Sequence, residues 1–367
     1  MSTNQPTCRL CFGFLGEAKL ELCHPVSSEI LSQVSDKRVR TEFRDCMSCG
    51  TVNAINDDPR RLLGYGSTWL RYTEPVQHFP DVLSLHRNGS TAAVSRVVGL
   101  SEKDQSLVDL LVKSGLSGDS RALFAVESQS WQALTPTDGN TMWIARRFLE
   151  HINDVSLVQQ LLNFIIGVGD FIYIEMLDFD ELQGKVSGLY LWPERTLYPK
   201  LNVVRALLES YGFEVSETRS YALQDNPFWW MLAERKEARC PSQMSALRSP
   251  LRSTTDVVSH FTRTISDISS SLAARTTGRS VAIFGVNHKS QTLAFCLHES
   301  GWDVSFHDGS PQKVGRYSGP FKIAPFTELP QSTDCVLFFF KNQTAVDLGQ
   351  DIIRRMPQVL IFDFSVY

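Results

Sequence analysis

Short apolar runs alternate with amphipathic segments along most of the chain, and this pattern predicts an α/β protein. In the first part of the chain, compact apolar runs predict buried strands over residues 94–100, 122–127, 141–146 and 170–176. Apolar residues at helical spacing predict helices over residues 104–114, 156–166 and 202–211. Strands that alternate with helices in this order predict a doubly wound parallel sheet covered by helices.

A second α/β unit is predicted from about residue 277. Its strands are predicted over residues 280–285, 302–307, 335–340 and 359–364, with a helix over 290–299. The stretch 239–256 is rich in Ser, Arg and Pro, which predicts a linker, and a polar helix follows at about 257–275. We therefore predict a small N-terminal module (1–60), a larger α/β domain (61–240), a linker with a helix (241–276) and a C-terminal α/β domain (277–367).

Composition and charge exclude several classes of protein. The 367 residues are 43% apolar and 21% charged, the proportions of an ordinary globular protein with a sizeable core. The net charge of −4 gives no reason to expect nucleic acid as a partner. No uncharged apolar stretch is long enough to cross a bilayer, so no membrane partner is expected. The opening segment MSTNQPTCRL lacks the apolar core of a signal peptide, and we expect a cytoplasmic protein.

The N-terminal module contains two Cys-x-x-Cys pairs, Cys8 with Cys11 and Cys46 with Cys49. Each pair can grip one metal ion from a single turn, and two pairs complete the four-thiolate shell that structural zinc prefers. A reducing compartment favours metal binding over disulfides for these cysteines. The sequence therefore predicts a structural Zn²⁺ site that leaves no coordination position open for a substrate.

Two motifs in the C-terminal domain carry a resemblance to a known family. They are the turn Gly285-Val-Asn-His-Lys289 and the segment Asp308-Gly-Ser-Pro-Gln-Lys313-Val-Gly-Arg316-Tyr317. With the cysteine module in front, the chain resembles the sugar C-methyltransferase family. That family joins a zinc-knuckle module, a class I methyltransferase domain and a C-terminal Rossmann-like domain. The resemblance implies S-adenosylmethionine (SAM) as cofactor and a keto-deoxysugar attached to a nucleotide as the small-molecule substrate.

The C-terminal motifs imply a site that binds a diphosphate. Backbone N–H groups at a glycine turn before a helix attract an anion, and basic side chains add charge-assisted contacts. The predicted substrate-binding residues are Gly285, Lys289, Asp308, Lys313, Arg316, Tyr317 and, from the middle domain, Arg195. The alternative is that Gly285 only closes a turn and the basic side chains are solvated.

The turn expected to hold the methyl donor departs from the family pattern. The family has a glycine-rich turn after the first strand, and the aligned residues here are Gly99, Ser101, Asp104 and Gln105. A glutamine in place of glycine needs either a positive φ or a different path of the loop. We predict Gly99, Ser101, Asp104 and Glu127 as cofactor-binding residues. Glu127 either binds a ribose at the end of the second strand or is a surface carboxylate.

The catalytic segment departs from the family pattern as well. The family has a Tyr-His-Glu-His-like run, and here the run is Trp-Pro-Glu194-Arg195, followed by Tyr198. Proline cannot transfer a proton and arginine stays protonated, so any base must be another residue. Glu150 and His151 match a Leu-Glu-His step that lies beside the methyl donor in the family, although such a histidine can be purely structural. The candidate catalytic residues are therefore Glu194, His151, Glu150 and Tyr198, while Arg195 suits an anionic intermediate or a phosphate.

Three hypotheses about function follow from this resemblance and its departures. The first is an active SAM-dependent C-methyltransferase acting on a nucleotide-linked keto-deoxysugar or a related biosynthetic intermediate. The second is a diverged relative that has lost methyl transfer and catalyses an isomerisation, cyclisation or condensation. The third is a non-catalytic partner protein. The sequence names neither the acceptor nor the oligomeric state.

Overall fold

The computed structural model describes most of the chain in the following ranges: residues 6–26, 30–35, 37–57, 76–88, 91, 93–119, 124–125, 130–131, 140–152, 155–179, 189–223, 226–238, 257–340 and 343–363. The predicted linker over 239–256 and the candidate cofactor residue Glu127 lie outside these ranges.

The strands and helices are numbered in chain order. The strands are β1 (Leu15–His24), β2 (Val39–Cys46), β3 (Val52–Asn56), β4 (Arg96–Gly99), β5 (Ser117–Asp119), β6 (Phe124–Ala125), β7 (Ser130–Trp131), β8 (Thr141–Arg146), β9 (Phe171–Leu177), β10 (Leu197–Tyr198), β11 (Phe213–Leu223), β12 (Asn226–Arg235), β13 (Ser280–Phe284), β14 (Asp303–Asp308), β15 (Tyr317–Ser318), β16 (Phe321–Pro325), β17 (Cys335–Phe338) and β18 (Leu360–Asp363). The helices are α1 (Phe79–Arg87), α2 (Gln105–Lys113), α3 (Val155–Gln160), α4 (Leu201–Ser210), α5 (Val257–Arg275), α6 (His288–Glu299) and α7 (Gln343–Arg355). Short 3-10 turns cover Glu102–Asp104 and Leu149–His151, and a π-helical turn, Leu161–Ile165, continues α3.

The N-terminal module is an antiparallel sheet in the order β1-β2-β3-β10. In β2, Val39, Thr41 and Phe43 are buried and alternate with less buried residues, as expected of a strand with one face on the core. Cys46 ends β2, so the second cysteine pair lies in the turn to β3. The strand β10 joins this sheet from a much later part of the chain.

The middle domain is built on a sheet in the order β11-β12-β9-β8-β4-β5. The strands β5, β4, β8 and β9 are parallel, and β12 is antiparallel to both β9 and β11. Every residue of β8 and β9 is buried, as expected of parallel strands that are covered on both faces. The carboxyl ends of β4, β8 and β9 therefore meet at one edge of the sheet, where ligands bind in open α/β folds.

Part of the strand predicted over 122–127 is present as β6, but it does not belong to the main sheet. The strand that pairs with β4 is β5, and the later β6 pairs with β7 in a separate hairpin. Helix α2 ends at Lys113, and Gly115, with φ of 113°, turns the chain directly back to the sheet. A side chain at Gly118 would overlap Val112 of this helix, so the close approach of strand and helix requires glycine there.

The C-terminal domain has a sheet in the order β15-β16-β14-β13-β17-β18. Its main strands are parallel, and β15 pairs antiparallel with β16 at one edge. The helix α6 follows β13 directly, and α7 connects β17 to β18. The polar helix expected at about 257–275 is α5.

The predicted fold class is confirmed, because the chain is a mixed α/β protein with parallel, Rossmann-like sheets. The parts of the chain are in direct contact: the ring of His24 lies 5.5 Å from that of Phe295 in α6, at a tilt of 38°, and the backbone of Leu31 forms a β-bridge with Tyr317. Among the residues that the structure describes, no helix is both long and apolar enough to cross a membrane.

Candidate functional site

The structure brings the sulfurs of Cys8, Cys11, Cys46 and Cys49 within 4.8 Å of one another. The Cys8–Cys49 Sγ distance is 3.8 Å and the Cys11–Cys46 Sγ distance is 3.3 Å. Zinc–sulfur bonds of about 2.3 Å in a tetrahedron give sulfur–sulfur edges of about 3.8 Å, so the donor set and its size suit Zn²⁺. All four positions would be protein ligands, which makes this a structural site rather than a catalytic one.

Hydrogen-bond donors surround these sulfurs. The backbone N–H of Leu10 and the side-chain Nδ2 of Asn53 lie 3.4 and 3.5 Å from Cys8 Sγ. The N–H groups of Ser48 and Cys49 lie 3.4 Å from Cys46 Sγ. Four thiolates this close would repel one another, so they need a cation between them to ionise together.

The turn after β4 does not have the geometry predicted for a methyl-donor site. The N–H and hydroxyl of Ser101 donate to Asp104 Oδ2 at 2.6 and 3.1 Å, and the N–H of Arg146 donates to Oδ1 at 2.8 Å. Gly99 packs against Asp104, since an added Cβ would lie 3.0 Å from Asp104 Cβ. Gln105 is the first residue of α2, so the loop takes a different path and needs no positive φ there.

Gly99, Ser101 and Asp104 contact one another in this structure, and their predicted cofactor-binding roles stay predictions. Their polar groups satisfy one another, and no open glycine turn is presented to SAM by the described residues. Burial raises the pKa of Asp104 to about 7, against the hydrogen bonds from Arg146 and Ser101. Asp104 therefore braces the junction of β4, α2 and β8, and the residues present do not fit the cofactor in the predicted manner.

Arg195 is fully buried inside a cage of aromatic rings. Its guanidinium carbon lies 4.1 Å from the Trp192 ring centre, and the rings of Phe179, Tyr198 and Tyr190 lie at 5.3, 5.7 and 5.9 Å. Such contacts stabilise a cation that has left water. Burial nevertheless lowers the pKa of Arg195.

Glu150, which is also fully buried, forms the ion pair of this cage. Its Oε2 lies 2.7 Å from Arg195 Nε, while its Oε1 accepts the N–H of Leu177 at 3.2 Å. Burial raises the pKa of Glu150, but Arg195 and Arg147 outweigh it, and the pKa of this carboxyl is lowered overall. Glu150 is therefore the counter-ion of the cage, and its predicted catalytic role stays a prediction. Nη2 of Arg195 has no hydrogen-bond partner in the part of the chain that the structure describes.

His151 lies beside this ion pair with both ring nitrogens engaged. Nδ1 lies 2.9 Å from the carbonyl oxygen of Glu194, and Nε2 lies 3.3 Å from Lys103 Nζ. Since a carbonyl only accepts and an ammonium only donates, Nδ1 carries the proton and Nε2 offers its lone pair. Burial, followed by Lys103 and Arg195, holds the pKa of His151 well below its usual range, so the imidazole is neutral.

Tyr198 is not placed as a base. Its hydroxyl oxygen accepts the N–H of Trp192 at 3.2 Å and donates to the carbonyl of the same residue at 3.3 Å. Burial raises the pKa of Tyr198, which keeps the phenol protonated. Tyr198 therefore closes the loop that carries Arg195 and forms one wall of its cage, and its predicted catalytic role stays a prediction. Glu194 is buried beside it.

The first turn of α6 completes the site from the C-terminal domain. The His288 ring stacks on Trp192 at 4.7 Å and 14°, and Lys289 Nζ lies 4.4 Å from the Tyr190 ring centre. Lys289 thus lies beside the cage of Arg195, and these two predicted substrate-binding residues are brought together. Burial, then Arg195 and other cations, lowers the pKa of His288 well below its usual range.

Sequence reasoning missed several members of this group. Arg147 follows β8 in a left-handed conformation with φ of 52°, a conformation that is unfavourable for arginine and is often found at functional sites. Its position at the carboxyl end of a predicted parallel strand was the available signal. His288 stands next to Lys289 in the motif, whereas nothing local marks Lys103, Phe179 or Tyr190 as members of the site.

The other C-terminal candidates hold the turn rather than a ligand. Lys313 Nζ bonds the carbonyl of Val286 at 2.8 Å and Asp308 Oδ2 at 3.0 Å, and the same Oδ2 accepts the N–H of Val286 at 2.8 Å. Gly285, with φ of 90°, leaves no room for a Cβ beside Phe340. The polar groups of Asp308 and Lys313 therefore brace the junction of β13 and α6, and the predicted substrate roles of Asp308, Lys313 and Gly285 stay predictions.

The last two members of the motif lie away from the cage. Arg316 is exposed, and its carbonyl accepts the N–H of Ile323 at 2.8 Å. The backbone of Tyr317 exchanges hydrogen bonds of 2.8 Å with Leu31 of the N-terminal module. The structure therefore does not bring Arg316 or Tyr317 to the site.

A second buried charge cluster lies behind the carboxyl edge. Glu175 Oε2 lies 2.8 Å from both His78 Nε2 and Arg146 Nε, and it accepts the Tyr173 hydroxyl at 3.2 Å. Burial opposes ionisation, but His78 and Arg146 prevail and lower the pKa of Glu175 to about 2. Arg146 also carries the backbone N–H that bonds Asp104, so this cluster supports the turn after β4.

Comparison with known proteins gives low similarity. No protein-family model matches the chain, and a search of curated proteins finds no match. The N-methyltransferase NodS from Bradyrhizobium japonicum WM9, solved with S-adenosylhomocysteine, is 10% identical over 49% of this chain and 97% of its own, with a TM-score of 0.32. Magnesium protoporphyrin IX methyltransferase ChlM from Synechocystis PCC 6803 is 16% identical over 49% of this chain and 93% of its own, with a TM-score of 0.30. The 4+2 cyclase SpnF is 9% identical over 47% of this chain and 86% of its own, with a TM-score of 0.33. Because these values are low, the likenesses decide neither the activity nor the ligand of this chain.

Proposed function

We propose that the protein is an enzyme that binds a nucleotide-linked keto-deoxysugar, or a related anionic intermediate, and transfers a proton on it. The site lies between the carboxyl edge of the middle sheet and the first turn of α6. The observation that carries the proposal is the neutral His151 beside Lys103 and the caged Arg195, with Lys289 facing them from the C-terminal domain.

The charge of this site favours an anionic ligand. Arg195 and Arg147 lie 2.7 and 3.7 Å from the carboxylate oxygens of Glu150, and Lys103 Nζ lies 3.3 Å from Nε2 of the adjacent His151. The three cations are therefore close enough to act on one ligand. The carboxylate of Glu150 offsets part of this charge through its pair with Arg195. Both imidazoles of the site are neutral, so positive charge remains in excess and suits a diphosphate.

The proposed reaction is the removal of a proton from a carbon next to the keto group of the sugar. The C–H bond breaks, the proton moves to Nε2 of His151, and the electron pair moves to the keto oxygen as an enolate. On binding, the ammonium of Lys103 turns from Nε2 to that oxygen, where it stabilises the negative charge. The lowered pKa of His151 makes its imidazolium a strong acid that returns the proton readily, to the same carbon or to a neighbouring position.

A second candidate is C-methyl transfer, in which SAM would supply an electrophilic methyl group. The specific observation in its favour is the doubly wound middle sheet, with its carboxyl edge beside the candidate base. The turn over Gly99–Asp104 supports the first candidate instead, since its polar groups are already paired with one another.

Separate calorimetric titrations with thymidine diphosphate and with SAM test the ligand. We expect heat with the nucleotide and none with SAM. Heat with SAM together with a methylated product would favour the second candidate, and no heat with either ligand would point to a non-catalytic protein.

Proton NMR in D₂O with a thymidine-diphosphate-linked 4-keto-6-deoxyhexose tests the reaction. We expect deuterium to enter the carbon next to the keto group, and His151→Asn to slow this exchange by roughly 100-fold or more. His298→Asn, on the exposed end of α6, is the matched control and should leave the exchange unchanged. Equal exchange in both variants would exclude His151 as the base.

A further inference from the structure

The four-cysteine module shares a sheet with the segment that carries Arg195. The strand β10 pairs antiparallel with β3, with Leu197 opposite Asn53 and Tyr198 opposite Val52. The N–H of Ala54 donates to the carbonyl of Thr196 at 3.0 Å, next to Arg195. A metal module that only stabilised its own fold would not need a strand from the candidate site.

The side chain of Arg9 adds a second connection between the cysteines and this segment. Arg9 follows the ligand residue Cys8, and its Nη1 donates to the carbonyls of Ala54 at 2.7 Å and Thr196 at 3.1 Å. Its backbone N–H donates to Asn53 Oδ1 at 3.0 Å. The first cysteine pair therefore connects to Thr196 through a single side chain.

Asn53 joins the same residues from the strand side. It is fully buried, and its Nδ2 donates to Cys8 Sγ at 3.5 Å and to the carbonyl of Thr51 at 3.0 Å. The side chain of Asn53 thus contacts the sulfur of Cys8, while the backbone of Asn53 pairs with β10.

Thr196 continues these contacts to the turn that carries the candidate base. Its N–H donates to the carbonyl of Glu150 at 2.7 Å, and its hydroxyl lies 2.7 Å from the carbonyl of Ile152. His151 lies between these two residues, and Arg195 precedes Thr196. A displacement of Thr196 would therefore move both the base and the caged cation.

We propose that metal binding by the four cysteines positions Arg195 and His151, and that Arg9 and Asn53 are the positioning residues that connect the two. A bound metal fixes Cys8, and with it the backbone of Arg9 and the amide of Asn53. Removing the metal frees this cysteine pair, so the contacts to Thr196 weaken and the segment 192–198 moves. Because such coupling is reciprocal, a ligand held by Arg195 also strengthens metal retention.

The test uses the full-length, zinc-loaded protein and two arginine variants. Arg9→Met removes the contacts to Thr196 without touching a cysteine. Arg40→Met is the matched control, since Arg40 is an exposed arginine of β2 that pairs with Glu21. Hydrogen exchange is followed in peptides covering 192–198 and, as an internal reference, β13 and β17. Zinc is measured by elemental analysis and the affinity for pyrophosphate by calorimetry.

We expect Arg9→Met to speed exchange in 192–198 by roughly fivefold to tenfold, as the loss of such hydrogen bonds implies, while β13 and β17 stay protected. Chelation of the metal from the wild-type protein should have the same effect. Unchanged exchange in 192–198 in Arg9→Met, with or without retained zinc, would overturn the proposal.

The affinity measurement rests on the proposed function, whereas the exchange measurement does not. We expect Arg9→Met to weaken pyrophosphate binding several-fold and Arg9→Lys, which keeps a cationic donor, to restore part of it. Faster exchange in Arg9→Met, in a protein whose wild type binds no pyrophosphate, would support the coupling and refute the proposed ligand. Equal affinity in Arg9→Met and Arg40→Met would refute the positioning role.

Discussion

Replacing Glu150 by Gln is the sharpest test of the caged ion pair. The substitution keeps the shape and one carbonyl oxygen of the side chain but removes the negative charge beside Arg195. Both side chains are fully buried, so water cannot replace the lost partner. The aromatic rings remain, but they are weaker partners for a cation than a carboxylate.

The separation of the two groups gives the size of the effect. At 2.7 Å, with an effective dielectric constant of about 20, the attraction between the charges is roughly 6 kcal/mol. The amide that the substitution leaves in place still presents a polar oxygen to the guanidinium, which returns about 2 kcal/mol. We therefore expect Glu150→Gln to lower the free energy of unfolding by about 4 kcal/mol, in the range found when one partner of a buried pair is removed.

The assay is guanidinium unfolding followed by tryptophan fluorescence, since Trp192 forms part of the cage. Glu217→Gln is the matched control, because Glu217 pairs with Arg219 at 3.0 Å where both side chains are partly exposed. That change should cost about 0.5 kcal/mol. A loss in Glu150→Gln no larger than in the control would refute the buried pair.

Three further predictions test other parts of the molecule. The native protein should hold about one zinc ion per chain, and Cys46→Ser should lose the ion together with the fold of the N-terminal module. Elemental analysis measures the zinc and circular dichroism the fold. A wild-type protein that folds without zinc would contradict this prediction. Gly285→Ala should lower the free energy of unfolding by about 1–2 kcal/mol, because it forces φ of 90° on an alanine beside Phe340. Gly349→Ala should raise it by up to about 1 kcal/mol, because the added methyl group meets only ordinary van der Waals contacts in α7. Thermal unfolding of both variants tests this pair of predictions. The pKa of Glu175 is lowered to about 2, against about 4.3 in the unfolded chain, so its contribution to stability is present above pH 4.3 and is lost as the pH falls towards 2. Acid unfolding of Glu175→Gln should lack this pH-dependent loss of stability. Equal pH profiles of the wild-type protein and the variant would refute the lowered pKa.

Much of the fold could be predicted from local patterns. The strand over residues 141–146 and the helix at 257–275 lie where they were predicted, because burial and helical periodicity are properties of neighbouring residues. The spacing of the two cysteine pairs likewise predicted that the four thiols lie together, since two such pairs are typical of one metal site. The strand β5 was not predicted because residues 117–119 carry little apolar signal, and only the return of the chain at Gly115 makes them a strand.

The candidate site could be predicted only in part. His151, Arg195 and Lys289 were identified from the motifs and lie together, whereas Asp104 and Lys313 support backbone turns. A residue type reveals which chemistry is available but not whether its polar atoms are already satisfied. That depends on neighbours such as Ser101 or Val286, whose positions are set by packing.

By itself, the sequence determined the α/β order of the elements and the thiolate chemistry of the N-terminal module, because both depend on residue types at short spacing. Only the tertiary structure decided that β10 pairs with β3, that Trp192 stacks on His288, and that Arg195 is enclosed by aromatic rings. The first two contacts join residues far apart in the chain, and no local period encodes them. The rings of the cage come from residues 179–198, and only the packing of this segment turns them towards Arg195. A buried charge or an unpaired strand edge costs free energy when it has no partner. These contacts form because the aromatic rings, the ion pair and the strand edge are buried together, where the two charges and the strand edge have partners.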